Sequence, residues 1–241
     1  MIRKLFKIFG LIVLASALVI LSFFVNKKKK TTSVKGYSIE IVDSLQNRFI
    51  GKKDIAKLLK KKCSIINCKL LTEIDRGLIE SRLNSHPSIE RTEVYSLVDG
   101  SIKIKVWQRE PVYRVIGKKN YYVDSRRQLM PLSKNYTKRV LVVSGNVPVS
   151  FACSQLFDFC NYISKNEFWN KYIGQIHVKA NREIVLVPLI DTFRIGFGDL
   201  GEYSVKLNKL KAFLDSAKEN KIWGKYKFIN LKYNKQIVCV K

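Results

Sequence analysis

Eighteen consecutive residues, Ile8 to Val25, carry no charge and read IFGLIVLASALVILSFFV. A helix needs about 20 mostly apolar residues to cross a bilayer, and roughly 17 suffice. A cleaved secretory signal is the rival reading, but its apolar region runs to about 7–15 residues and ends in a small-x-small site. Here that triplet, Ala15-Ser16-Ala17, sits in mid-run, and the run finishes in Phe23-Phe24-Val25. The expectation is therefore an uncleaved transmembrane anchor over residues 8–25, behind a cytoplasmic tail of residues 1–7 and ahead of a basic linker of residues 26–33. Basic residues flank the run on both sides, Arg3, Lys4 and Lys7 before it and Lys27 to Lys30 after it, so the positive-inside count does not orient it. Mass does: everything able to fold follows the run, as in a single-pass inner-membrane protein that places its C-terminal bulk in the periplasm.

Charge is the next constraint. Lys and Arg number 45 against 19 Asp and Glu, a formal net charge of +26 over 241 residues. Residues 1–30 hold seven of the basic residues and none of the acidic ones, so the part after the linker is basic in its own right. Such a field favours anionic membranes, polyanions or acidic partner surfaces. Nucleic acid is disfavoured, since no helix-turn-helix, zinc or base-stacking motif accompanies the charge and export removes the chain from that compartment.

Hydrophobic periodicity divides the remainder. Val34 to Leu45 reads as a strand with Tyr37, Ile39 and Ile41 in period two. Lys52 to Lys62 puts Ile55, Leu58 and Leu59 on one helical face, and Leu71 to Asn84 repeats the pattern from a capping-box-like start at Thr72 and Asp75. Ile89 to Leu97 and Ser101 to Trp107 flank Asp99-Gly100, the residue pair suited to a tight type I′ hairpin. These elements predict a β-α-α-β-β domain over residues 34–111. Residues 112–241 turn mainly to strands, interrupted by amphipathic helices near Val149 to Ile163 and Tyr203 to Ala217. The fold class expected is α+β, the second domain being a β-rich, antiparallel sheet with two covering helices.

The chemistry-bearing motifs mostly reduce to structure. Gly196 to Gly201 matches G-x-G-x-x-G after a strand and before a helix, yet Asp199 and Glu202 stand where a pyrophosphate would sit and no repeating βαβ pattern precedes it, so these are turn glycines. The five cysteines make no zinc pattern. Cys63 and Cys68 are placed to close a short loop by a disulfide in an oxidising periplasm, or to be two buried thiols. Lys52, Lys53, Lys57 and Lys60 to Lys62 form a solvated helix face or a surface for anionic headgroups or an anionic partner. No catalytic motif, cofactor or metal site is expected, and the chain is read as a non-enzyme.

Several words of the sequence together resemble the FtsQ/DivIB family of bacterial cell-division proteins. They are His86-Pro87-Ser88-Ile89-Glu90-Arg91-Thr92-Glu93-Val94, then Ile102 to Val106 followed by Gln108-Arg109-Glu110-Pro111-Val112. Tyr121-Tyr122-Val123-Asp124, Met130-Pro131-Leu132 and Leu141-Val142-Val143-Ser144-Gly145-Asn146 follow in order. Ser88 replaces a common aromatic, and Ser125-Arg126-Arg127 departs from the family's Asp-x-Gly turn. The resemblance implies a POTRA domain followed by the family's β domain. It also implies a non-enzymatic divisome scaffold at the septum that recruits FtsB- and FtsL-like proteins and helps control septal peptidoglycan synthesis, with the synthase complex an indirect partner. It places partner binding near the chain end, which nominates Trp223, Lys227, Phe228, Asn230, Lys232, Tyr233, Lys235 and Val238, docking by addition of a partner strand. Two alternatives stay open: a POTRA-containing outer-membrane assembly or secretion factor, and a membrane-anchored cell-wall enzyme.

Overall fold

The computed structural model describes residues 9–22, 33–62, 70–134, 136–219, 225–233 and 236–241. Helix α1 covers residues 9–22, and its apolar side chains stand in the open, Phe9, Leu11, Leu14 and Val19 each more than half exposed. The span expected over 8–25 runs past the described residues at both ends, as do the tail and most of the linker. Among the described residues no helix is long and apolar enough to cross a membrane. Beyond this, the chain divides into two compact units, Met1–Gln108 and Arg109–Lys241.

The first unit is a three-stranded sheet with order β1-β3-β2, backed by helices. Strand β1 (Gly36–Ile41) pairs parallel with β3 (Ser101–Gln108), and β2 (Ile89–Ser96) pairs antiparallel with β3. The alternation of β3 is borne out: Ile102, Ile104 and Val106 are fully buried while Lys103 and Lys105 lie half-buried on the other face. β1 is shorter than expected because the chain turns at Asp43, whose carbonyl accepts from the N–H groups of Gln46 and Asn47 at 3.0 and 2.9 Å. Gln108 holds this loop from the far end of β3, donating Nε2–H to the Asn47 carbonyl at 2.7 Å and accepting from the Ile50 N–H at 3.0 Å.

Helix α2 (Lys52–Lys62) buries Ile55 and Leu59. The second helix begins later than its periodicity suggests. Leu71–Glu73 is a turn of 3-10 helix, and α3 (Arg76–Asn84) is capped by Asp75, whose Oδ1 accepts the Leu78 N–H at 2.9 Å. Asp75 is thus the cap itself, and Thr72 lies outside the helix. The β2–β3 connection is a hairpin, as expected, but not of type I′. Leu97 to Gly100 closes a turn through Gly100 N–H to Leu97 C=O at 3.2 Å, and Gly100 has φ +91° while Asp99 does not enter the left-handed region. That is the three-residue form, in which one left-handed glycine follows an ordinary turn.

The second unit is a nine-stranded sheet with order β12-β11-β10-β9-β8-β7-β4-β5-β6. Its strands are β4 (Pro111–Ile116), β5 (Tyr121–Asp124), β6 (Leu129–Pro131), β7 (Leu141–Gly145), β8 (Ile173–Val178), β9 (Ile184–Pro188), β10 (Arg194–Gly198), β11 (Phe228–Asn230) and β12 (Val238–Val240). The antiparallel expectation is corrected here, since β4 with β7, β7 with β8 and β10 with β11 pair parallel. Parallel neighbours require a crossover, and the helices supply two of the three. Helices α4 (Val149–Ala152), α5 (Gln155–Lys165) and α6 (Glu167–Tyr172) link β7 to β8, and α7 (Tyr203–Glu219) links β10 to β11. Two covering helices were expected; four helical segments are present. The chain breaks at Ser154, and again at Asn166, which ends α5 and accepts the Trp169 N–H at 3.1 Å to start α6.

The core forms where α5 and α7 lay Leu156, Phe159, Cys160, Ile163, Leu207, Leu210 and Leu214 over Val143, Ile176, Leu186, Ile195, Phe197 and Ile229. Each such side chain contributes about 1.5–3 kcal/mol on burial. Two of the sequence words lock this unit at its start: Asp124, 1% exposed, meets Arg109 Nη1 at 3.3 Å and accepts from the N–H groups of Arg126 and Gln128 at 3.0 and 2.7 Å. In the turn that departs from Asp-x-Gly, Arg127 itself takes φ +61°. Its guanidinium pairs with Asp158 at 2.6 Å and lies 4.7 Å from the Phe157 ring centre, contacts a glycine would not make.

Candidate partner-binding site

The C-terminal end of the nine-stranded sheet is built by close approach. Gly196 in β10 has no side chain because the Phe228 ring of β11 occupies that place, its nearest carbon 2.5 Å from where a Cβ would stand. Gly198 at φ +80° leaves room for the Lys232 stem in the same way. The motif that mimics a nucleotide fold is therefore a packing device. Asp199 fills the turn that follows it, accepting from the Gly201 N–H at 2.8 Å and from Lys206 Nζ at 2.8 Å, and the Lys206 bond holds its carboxyl below the usual range.

Strand β12 then pairs antiparallel with β11 and is the last strand of the sheet. Registry sorts its residues between two faces. Ile195, Ile229 and Cys239 lie side by side, with Ile229 buried in the core and Cys239 packed against it, and that burial pushes the Cys239 thiol up. Arg194, Phe228 and Val240 form one row of the opposite face; Gly196, Asn230 and Val238 form the next. On this face Val238 is 37% and Val240 53% exposed; Tyr233, in the connection after β11, is 51% exposed. An edge strand presents backbone N–H and C=O groups to the next chain, and exposed apolar side chains beside it supply the pockets for alternate residues.

The nominated residues separate on this geometry. Phe228 is half-buried over Gly196 and Asn230 is turned to its own chain, accepting the Lys232 N–H at 3.0 Å. Lys232 is committed to an ion pair with Glu183 on the loop before β9, a bond that holds the Glu183 carboxyl below its usual value. Lys227, Tyr233 and Val238 are exposed. Trp223 and Lys235 lie outside the described residues, as do Cys63 and Cys68. Sequence reasoning passed over Val240, the most exposed apolar residue of β12, and the Lys209 ammonium that donates to the Tyr233 carbonyl from α7. Two-residue spacing from Val238 was the available signal for Val240. The groups most perturbed by burial lie elsewhere: the Tyr113 phenol and Cys160 thiol are pushed up inside the core, where the Tyr113 hydroxyl donates to the Ala152 carbonyl.

The two units are a small three-stranded module backed by helices, of POTRA-like type, and a β-rich module whose sheet ends in β12. Residues 32–107 match the model of the POTRA-like domain, and residues 110–240 match that of the FtsQ/DivIB, C-terminal related domain. The second match spans more than half of the chain, which therefore belongs to the FtsQ/DivIB family and carries that family's association with bacterial cell division. No curated protein sequence matches the chain.

Proposed function

We propose that this chain is a membrane-anchored, non-catalytic scaffold of the division septum that captures FtsB- and FtsL-like partners by adding a partner strand to β12, and through them helps control septal peptidoglycan synthesis. One observation carries the reading: β12 ends a nine-stranded sheet and leaves Val238 and Val240 exposed on one of its faces. Family membership supplies the class of partner. The exposed apolar surface of α1 fits an anchor that runs on through the uncharged residues to Val25 and leaves the two units in the periplasm. Lys227 and the basic charge of the second unit would suit an acidic partner segment, while Phe228, Asn230 and Lys232 hold β11 in place beneath it.

The test is deletion of residues 236–241 in the full chain, followed by co-purification of the division complex and rescue of depleted cells. We expect the partners to be lost and the cells to filament. The melting temperature should fall only modestly, because the removed residues that pack on the core, Ile237 and Cys239, are each only partly buried. Partner recovery and normal division with the shortened chain would remove β12 as the docking edge.

A further inference from the structure

The first unit has a surface that the scaffold reading does not use. The tip of the β2–β3 hairpin exposes Leu97 at 43% and Val98 at 93%, an uncommon pair of apolar side chains for an open loop. The tip is held at the end of the sheet where the chain enters. Gly36 pairs with Ser101, and the Lys35 N–H donates to the Gly100 carbonyl at 3.1 Å. Residues 26–35 between the uncharged run and that bond include Lys27 to Lys30 and Lys35. A segment of this length reaches at most roughly 35 Å even when fully extended. A bilayer crossed by the run is therefore within reach of the tip. The opposite end of the sheet, where β3 finishes at Gln108, carries the Asp43–Asn47 turn instead.

The chemistry at the tip is that of an interface rather than of a hydrocarbon interior. Tyr95, 40% exposed, stands two residues before Leu97 with the Lys105 ammonium 5.7 Å from its ring centre. Lys103 is its neighbour in register. Tyrosine and lysine beside exposed aliphatics suit the headgroup level, where an amphipathic ring and a cation are both satisfied. The opposing charges are Glu93, which accepts from the Tyr95 hydroxyl, Glu40, which pairs with Lys103 at 2.7 Å, and Asp99 in the loop itself. The Asp99 carboxylate is occupied by the Ser101 N–H and hydroxyl at 2.9 and 2.7 Å.

We propose that the hairpin tip, Tyr95 to Gly100, is a membrane-contact site that seats Leu97 and Val98 among the headgroups of an anionic bilayer. The inference rests on the anchor reading. It makes the first unit a body docked on the membrane at a fixed end, with β1 and β3 both running away from the lipid.

The test uses the full chain in nanodiscs of mixed phosphatidylglycerol and phosphatidylcholine, with Val98→Trp and, as the internal control, Leu45→Trp, which stands 91% exposed in the Asp43–Asn47 turn. Brominated acyl chains should quench the Val98→Trp indole by roughly half while leaving the Leu45→Trp indole unchanged, as expected for a ring at interfacial depth. Quenching should weaken in discs of phosphatidylcholine alone, and equal quenching there would overturn the anionic preference. A chain that washes off the discs in alkaline carbonate overturns the anchor reading and the proposal with it. A chain that stays while Val98→Trp and Leu45→Trp emit alike overturns the tip contact alone and leaves the hairpin to a protein partner.

Discussion

β2 ends the three-stranded sheet and β12 ends the nine-stranded one, and these two edges are treated differently. β2 in the first unit is shielded by its own helix: Glu80 of α3 reaches across and accepts the Val94 N–H at 2.7 Å, occupying one of the groups a foreign strand would need. Among the described residues, no side chain bonds the backbone of β12 in the second unit. The contrast shows that being last in a sheet does not make a strand available. Availability depends on whether a neighbouring element supplies an acceptor, and natural edges are usually blocked in some such way.

The comparison can be broken in several places. The largest effect is expected at the staple that holds the second unit together. Asp124→Ala leaves the Arg109 guanidinium and two backbone N–H groups without their buried acceptor, at a cost of about 3–5 kcal/mol. Denaturant unfolding of the chain should show that loss, and a change below about 1 kcal/mol would mean that Asp124 is not what fastens β5. Next comes the shielded edge. Glu80→Ala strands the half-buried Val94 N–H, with an expected loss of about 1–3 kcal/mol. It should also raise concentration-dependent self-association in sedimentation, whereas Glu80→Gln, which keeps an acceptor oxygen, should do neither.

Smaller effects sharpen the picture within the second unit. Arg127→Gly relieves a left-handed arginine but removes the Asp158 pair and the Phe157 contact, so the net change should stay within about 1 kcal/mol, read from the melting curve. Smallest is the response to acid at Glu183. Its carboxyl is held below the usual 4.5 by Lys232, so the pairing is complete above pH 4.5 and is lost as pH falls through the lowered value. Carbon-detected titration of Glu183 should show the depressed midpoint, and Lys232→Ala should raise it part of the way to the ordinary value, since Asn181 and Lys179 also hold it down.

Much of the first unit was legible in the sequence because its signals are local. The period-two run from Ile102 to Val106 and the apolar face of Lys52 to Lys62 each lie within a few residues, and each formed where the pattern put it. Misreadings arose where two local signals competed. Thr72 and Asp75 both suit a cap, and only Asp75 meets a free N–H in the folded chain. At the candidate site, strand character near Phe228 and Val238 was legible. The commitment of Lys232 to Glu183 was not, because the two are 49 residues apart and come together only when β9 to β11 align.

Taken alone, the amino-acid order determined the element types, the basic charge, the uncharged N-terminal run and the family. Tertiary structure decided the rest: that three strand pairs of the second sheet run parallel, that Gly196 and Gly198 yield space to Phe228 and Lys232, and that Glu80 closes on the edge of β2. The physical reason is range. Periodicity and capping act over a turn or two of chain, whereas strand order, direction and exposure are set by contacts between residues far apart in sequence, whose energy exists only once the whole sheet has closed.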